Sequence, residues 1–102
     1  MGVLAWLFGR RRPAARLGHL QFVVYTRRGC HLCDAALERL SVARVRHGFG
    51  LEVVDVDTDP ELVARHGNCV PVVTVNGKVR FRGAVNGVLL ERLLRAERAR
   101  TD

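Results

Sequence analysis

The chain has 102 residues, of which 48% are hydrophobic and 26% are charged. These fractions are ordinary for a soluble globular protein and exclude a disordered chain, a collagen-like repeat and a coiled coil. The formal net charge is +7, but four arginines and no acid lie within residues 1–18, so the excess is a local basic run and we expect no specific nucleic-acid partner.

The first 18 residues are predicted to be an appendage, because a regular apolar pattern begins only after them. Apolar residues 3–8 precede the arginines at 10–12, which reverses the order of charge and apolar core in a secretory signal. We therefore expect a cytoplasmic protein with a tail, residues 1–18, and a domain, residues 19–102. Residues 3–12 are a candidate for weak contact with an anionic membrane surface.

A strand, a helix and a second strand are predicted in the first half of the domain. Residues 22–25 form a short β-rich run that is typical of a buried strand. Residues 51–56 predict the second strand. Between them, apolar residues recur at steps of three and four, as on one face of a helix: Cys33, Ala36, Leu37, Leu40, Ala43. This helix is expected to end near Gly48, since glycine suits the C-terminal cap.

The second half predicts a short helix, a hairpin and a last helix. Asp59 is the expected cap of a helix over residues 60–66, with proline in its first position. Strands at residues 72–75 and 79–82 are joined by Asn-Gly, a pair that suits a two-residue hairpin turn. After Gly83, a helix from about residue 88 to 98 is expected to bury its apolar side chains: Val88, Leu89, Leu90, Leu93.

The element order is β-α-β-α-β-β-α. The first β-α-β is expected to be a right-handed crossover between parallel strands, and the hairpin adds an antiparallel pair. The predicted fold class is α/β, a four-stranded mixed sheet with helices packed on it.

Two cysteines, Cys30 and Cys33, lie at the junction of the first strand and the first helix. This spacing beside a β-α-β pattern predicts a redox pair in an intracellular protein. Unpaired N–H groups at a helix N-terminus stabilise a thiolate and lower its pKa, and Arg27 and Arg28 add positive charge nearby. Cys33 lies on the apolar helix face, whereas Cys30 precedes it. We therefore predict that Cys30 is the attacking thiolate and Cys33 the resolving thiol.

A metal site is the alternative interpretation of the same cysteines. Together with a His-x-x-Cys further along the chain they form a candidate Cys₃His set for zinc or an iron–sulfur cluster: Cys30, Cys33, His66, Cys69. Under this interpretation the protein is a binding module. Because Cys33 continues straight into a helix instead of a tight turn, we expect no metal and no required cofactor.

The remaining titratable residues are expected to be structural or solvated. Asp55 and Asp57 are interpreted as solvated loop acids, and Cys69 as a small packed residue near the start of a strand. His47 and His66 are expected in solvent or in turns.

The stretch Y-T-R-R-G-C-H-L-C, with V-P before a later strand, N-G and F-R-G after it, resembles the glutaredoxin-like branch of the thioredoxin superfamily over about residues 20–95. The resemblance implies a thioredoxin-like fold and a thiol–disulfide oxidoreductase. It implies disulfide-containing proteins or glutathione mixed disulfides as substrates, with glutathione as a candidate reductant, and we expect a monomer. His31 and Leu32 stand where many members have proline and an aromatic residue.

The resemblance also implies four substrate-binding residues. Val70 and Pro71 stand where the superfamily keeps a cis-proline facing the cysteines, and the backbone of Val70 would pair with a substrate chain. Arg27 matches a cationic position near the thiolate and the glutathione carboxylate. Gly83 stands where many members begin a Gly-Gly pair that contacts glutathione.

Overall fold

The computed structural model describes residues 16–101. Its elements follow the predicted order: β1 (Gln21–Thr26), α1 (His31–His47), β2 (Gly50–Asp55), a 3₁₀ turn (Val56–Thr58), α2 (Pro60–His66), β3 (Val72–Val75), β4 (Lys78–Arg82) and α3 (Gly87–Thr101). Within this part of the chain, no helix is long and apolar enough to cross a membrane.

The four strands form one mixed sheet in the order β2-β1-β3-β4. β1 runs parallel to β2 and antiparallel to β3, and β3 runs antiparallel to β4. The predicted hairpin turn is confirmed, because Asn76 and Gly77 both have positive φ. The register pairs Tyr25 with Val72, so the end of β1 lies beside the start of β3.

Alternate residues of β1 face the two sides of the sheet. Phe22 and Val24 belong to the main core together with buried residues of α1 and α3. Tyr25 faces the other side, where its ring lies 4.6 Å from the ring of His66 in α2. The two long helices therefore cover one face, and the short helix lies against the other.

The last helix buries a different set of residues from the one predicted. Leu90, Leu93 and Leu94 are buried, whereas Val88 and Leu89 are 65% and 50% exposed. Residues three and four apart share a helix face, so consecutive apolar residues cannot all point at the sheet. Leu90 lies on the buried face with Leu93 and Leu94, whereas Val88 and Leu89 lie in solvent.

Most of the predicted tail lies outside the described residues, including residues 3–12, for which membrane contact is expected. Its extent therefore stays a prediction. Leu17, which falls within the predicted tail, is fully buried in the main core.

Candidate active site

Cys30 and Cys33 meet at the first turn of α1. Cys30 is the N-cap residue, with extended backbone (φ −103°, ψ 106°), and its Sγ accepts a hydrogen bond of 3.1 Å from the backbone N–H of Cys33. The two Cα atoms are 5.2 Å apart and the sulfurs are joined as a disulfide. Cys33 therefore lies on the buried face of α1, whereas Cys30 lies at the N-terminus of the helix.

The two cysteines differ in exposure to solvent. Cys33 is 1% exposed and packs among the buried residues of α1, whereas Cys30 is partly exposed. The neighbouring side chains His31 and Leu32 are also exposed, Leu32 by 54%. Cys30 is therefore the cysteine of the pair that a reactant in solvent can approach, whereas Cys33 is shielded by the core.

The segment before β3 lies at the same end of the sheet as the cysteines. The Val70–Pro71 peptide bond is cis, as the resemblance implies, and Pro71 is fully buried. The backbone N–H of Gly83 donates to the carbonyl oxygens of Cys69 and Pro71, both at 2.9 Å. Gly83 and the Cys69–Pro71 segment thus form one hydrogen-bonded unit beside the end of β1.

Arg27 is held by a carboxylate thirty residues along the chain. Its Nε and Nη2 donate to the Asp57 carboxylate at 2.9–3.1 Å, and its Nη1 donates to the Gly67 carbonyl at 3.2 Å. The hydrogen bond between them raises the pKa of Arg27 and lowers the pKa of Asp57. Asp57 is exposed, as expected, but its ion pair with Arg27 was not predicted from the sequence.

His66 and His47 are buried, so their expected solvent or turn placement was wrong. His66 is 7% exposed against Tyr25, and its pKa is lowered by burial and then by Arg65 and Arg82. His47 is 3% exposed. The signal for His47 was present in the sequence, because it lies four residues after buried Ala43 and continues the apolar face of α1.

The zinc or iron–sulfur alternative is not supported by the arrangement of the side chains. Within residues 16–101, no three His, Cys, Asp or Glu side chains are grouped so that they could hold a metal ion. Cys69 is a free, partly exposed cysteine whose N–H donates to the carbonyl of His66. His66 and Cys69 are thus neighbours, but they do not complete a metal site with the cysteine pair.

Solved structures share this architecture. A protein from X. campestris, Northeast Structural Genomics target XcR50, superposes with a TM-score of 0.61 and 32% identity, covering 74% of this chain and 96% of its own. Protein Ne2328 from Nitrosomonas europaea gives 0.63 and 28%, covering 72% and 89%. The thioredoxin of Malassezia sympodialis gives 0.58 at 12% identity, covering 89% and 85%, which shows the fold alone.

No curated protein sequence matches the chain. The profile of the family described as Glutaredoxin-like domain (DUF836) matches residues 21–95, which include the Cys-x-x-Cys, the cis-proline and all four strands. With its thioredoxin-like mixed sheet and a cysteine pair at the mouth of the first long helix, the chain belongs to this glutaredoxin-like domain family.

Proposed function

We propose that the chain is a thiol–disulfide oxidoreductase in which Cys30 attacks and Cys33 resolves. The observation that carries this proposal is the pairing of a partly exposed cysteine at the helix mouth with a buried cysteine one helical turn along. A structural disulfide would not need one accessible partner. A redox pair does, because the attacking sulfur has to reach a substrate, and the second sulfur has only to reach the attacking sulfur to resolve the mixed disulfide.

The backbone of α1 favours negative charge on the attacking sulfur. The N–H of Cys33 already points at the Sγ of Cys30 at 3.1 Å, and a hydrogen bond to a charged acceptor is stronger than one to a neutral acceptor. In the reduced protein the same donor, together with the helix terminus, would stabilise a thiolate. We therefore expect Cys30 to be the more acidic thiol of the pair.

The reaction transfers two electrons from the cysteine pair to a disulfide. The Cys30 thiolate attacks one substrate sulfur, a mixed disulfide forms, and the other substrate sulfur leaves as a thiolate. The Cys33 thiol then loses its proton and attacks the Cys30 sulfur. The Cys30–Cys33 disulfide forms, the second substrate thiolate departs, and both product thiolates take up protons from water.

Val70 is the proposed docking point for an extended substrate chain. Among the hydrogen bonds within residues 16–101, neither its backbone N–H nor its carbonyl has a partner, although it lies next to a buried, sheet-forming segment. Unpaired backbone groups in an extended segment are a template for strand-like pairing. Pro71 and Gly83 would set the position of that template through the hydrogen bonds already described.

Arg27 is proposed to hold the loop before the cysteines in place and to present positive charge to a bound substrate. Its three hydrogen-bonding nitrogens are already engaged with Asp57 and Gly67, so a substrate carboxylate would compete with the protein's own. Protein disulfides and glutathione mixed disulfides are both candidate substrates, as the family resemblance implies. Action as a monomer in the cytoplasm, with glutathione as a candidate reductant and no bound cofactor, belongs to the same proposal.

Three serine substitutions test the proposal on the reduced full-length protein. The rate of reduction of bis(2-hydroxyethyl) disulfide, a small neutral substrate, should fall to the background rate in Cys30→Ser. Cys33→Ser should instead accumulate a mixed disulfide, which intact-mass spectrometry detects as one added substrate half. Cys69→Ser is the matched control and should keep the parent rate.

Full activity in Cys30→Ser, or a wild-type protein that reduces no disulfide, would contradict the proposal. A mixed disulfide that formed at Cys33 in the Cys30→Ser variant would reverse the assigned roles.

A further inference from the structure

Two arginines, Arg65 and Arg82, border the segment that is proposed to dock substrate. Arg82 pairs in register with Val72, so the side chains of Arg82 and Val72 point to the same face of the sheet. This is the face covered by α2. Arg65 directly precedes His66, whose carbonyl accepts the N–H of Cys69. Both arginines are exposed. We call these two side chains the basic patch.

The charge of the basic patch is uncompensated. Among residues 16–101, neither Arg65 nor Arg82 has a carboxylate within 4.0 Å. Both act on His66 to lower its pKa, and no acid is among the groups that shift it. The basic patch therefore carries two positive charges that no carboxylate among these residues pairs with.

Three acidic residues on the β2 side of this end of the sheet accept hydrogen bonds within the domain. Asp55 accepts the N–H of Asp57 at 2.9 Å, and Asp59 accepts the N–H of Glu61 at 2.9 Å. Asp57 binds Arg27. Asp55 ends β2, at one edge of the sheet, and Asp57 and Asp59 follow it, whereas Arg82 ends β4, at the other edge. Charge is thus divided across the end of the sheet, with the positive side next to Val70.

From this arrangement we propose that the basic patch selects polypeptide substrates that carry acidic residues beside the reacting cysteine. The inference rests on the proposed function and adds its substrate class. A chain paired with Val70 would lie near the ends of α2 and β4, where Arg65 and Arg82 can bind its carboxylates. Complementary charge of this kind mainly raises the rate of productive encounter.

The test compares two synthetic peptides that contain the same internal disulfide and differ only in the flanking residues, glutamate in one and lysine in the other. Reduced full-length protein in excess is mixed with each peptide, and the second-order rate constant of peptide reduction is measured. At low ionic strength we expect the acidic peptide to react about tenfold faster. At about 0.5 M salt, where the Debye length is about 4 Å, the preference should fall to about twofold.

Two double variants separate the basic patch from the overall charge. Arg65→Gln with Arg82→Gln should lower the low-salt preference to about threefold or less. The matched control is Arg44→Gln with Arg80→Gln. Arg44 lies in the last turn of α1 as Arg65 lies in that of α2, and Arg80 is an exposed residue of the same strand as Arg82. This control should keep the wild-type preference.

Equal rates for the two peptides with wild-type protein would overturn the inference. So would an equal loss of preference in both double variants, because the effect would then belong to net charge. The neutral disulfide distinguishes the two proposals: if wild-type protein reduces neither it nor the peptides, the proposed function fails, whereas if wild-type protein reduces it and reduces both peptides at equal rates, only the inference fails. If the Arg65/Arg82 double variant does not fold, Arg82→Gln alone should still lower the preference, and an unchanged preference in it would overturn the inference.

Discussion

The two ends of α1 differ in how they are capped and in how far they are exposed to solvent. At its start the cap is Cys30, whose sulfur accepts the N–H of Cys33, and the next two side chains lie in solvent. At its end Gly48 adopts a left-handed conformation (φ 78°), and its N–H donates to the Arg44 carbonyl at 2.8 Å. Phe49 then stacks on Phe22 with ring centroids 4.2 Å apart.

This difference indicates that the C-terminal end of α1 contributes to stability, whereas the N-terminal end leaves a cysteine accessible. Oxygen-bearing side chains are the preferred N-caps, so a cysteine at this position is not the choice that stability alone favours. The opposite end uses an αL cap and an aromatic stack, which satisfy the backbone and bury apolar surface. Substitutions at the C-terminal end of α1 should therefore change stability and leave the chemistry of the folded protein intact.

The largest expected effect is at the aromatic stack. Phe49 is 2% exposed, and its replacement by alanine leaves a cavity, so Phe49→Ala should cost about 3–5 kcal/mol of unfolding free energy. Urea denaturation followed by circular dichroism measures the loss, with Phe49→Leu as a milder control. Because the cysteines lie at the other end of α1, the folded fraction should reduce bis(2-hydroxyethyl) disulfide at the wild-type rate. A lower rate in that fraction would show that the two ends are coupled.

A smaller loss is expected at the helix cap. A side chain with a Cβ is strained in the left-handed conformation that Gly48 adopts, so Gly48→Ala should lower the unfolding free energy by about 1–2 kcal/mol. Gly48→Asn should lose less, since asparagine tolerates this conformation, as Asn76 does in the hairpin at φ 50°. Thermal unfolding of both variants checks the order. Equal losses would mean that the cap conformation is not what stabilises this end.

The smallest effect should appear as a dependence of stability on pH. Burial lowers the pKa of His47 from 6.5; Glu91 opposes this shift, and Arg98, Arg46 and Arg16 add to it. Because the folded pKa lies below the unfolded one, the unfolded state binds more protons as the pH falls. The contribution of neutral His47 to the unfolding free energy is complete above about pH 6.5, the unfolded pKa, and is lost as the pH falls from there through the lower folded pKa.

Melting temperatures measured between about pH 8 and pH 5 test this dependence, since the pKa of an unperturbed histidine falls within that range. His47→Gln should reduce the decrease in melting temperature on acidification. A variant with the full wild-type decrease would assign the pH dependence to other groups, His66 first among them, because burial lowers its pKa too.

Local chemistry explains why much of the fold could be predicted. Asp59 caps α2 through the N–H of Glu61, and Pro60 begins the helix, as side-chain chemistry and a fixed φ require. Asn76 and Gly77 take the positive φ values of a tight hairpin. Each of these features depends on residues at most a few positions apart, so the sequence displays it directly.

The sequence by itself determined the order of elements, the place of Cys30 and Cys33 at a helix mouth, and the buried face on which Cys33 lies. Only the tertiary structure decided that Arg27 is bound by Asp57, that His66 packs on Tyr25, and that Arg82 comes to the same face as Arg65. The physical reason is the range of the forces involved. Capping, turn and periodicity preferences act between near neighbours in the chain, whereas ion pairs and burial depend on which distant segments the sheet brings together.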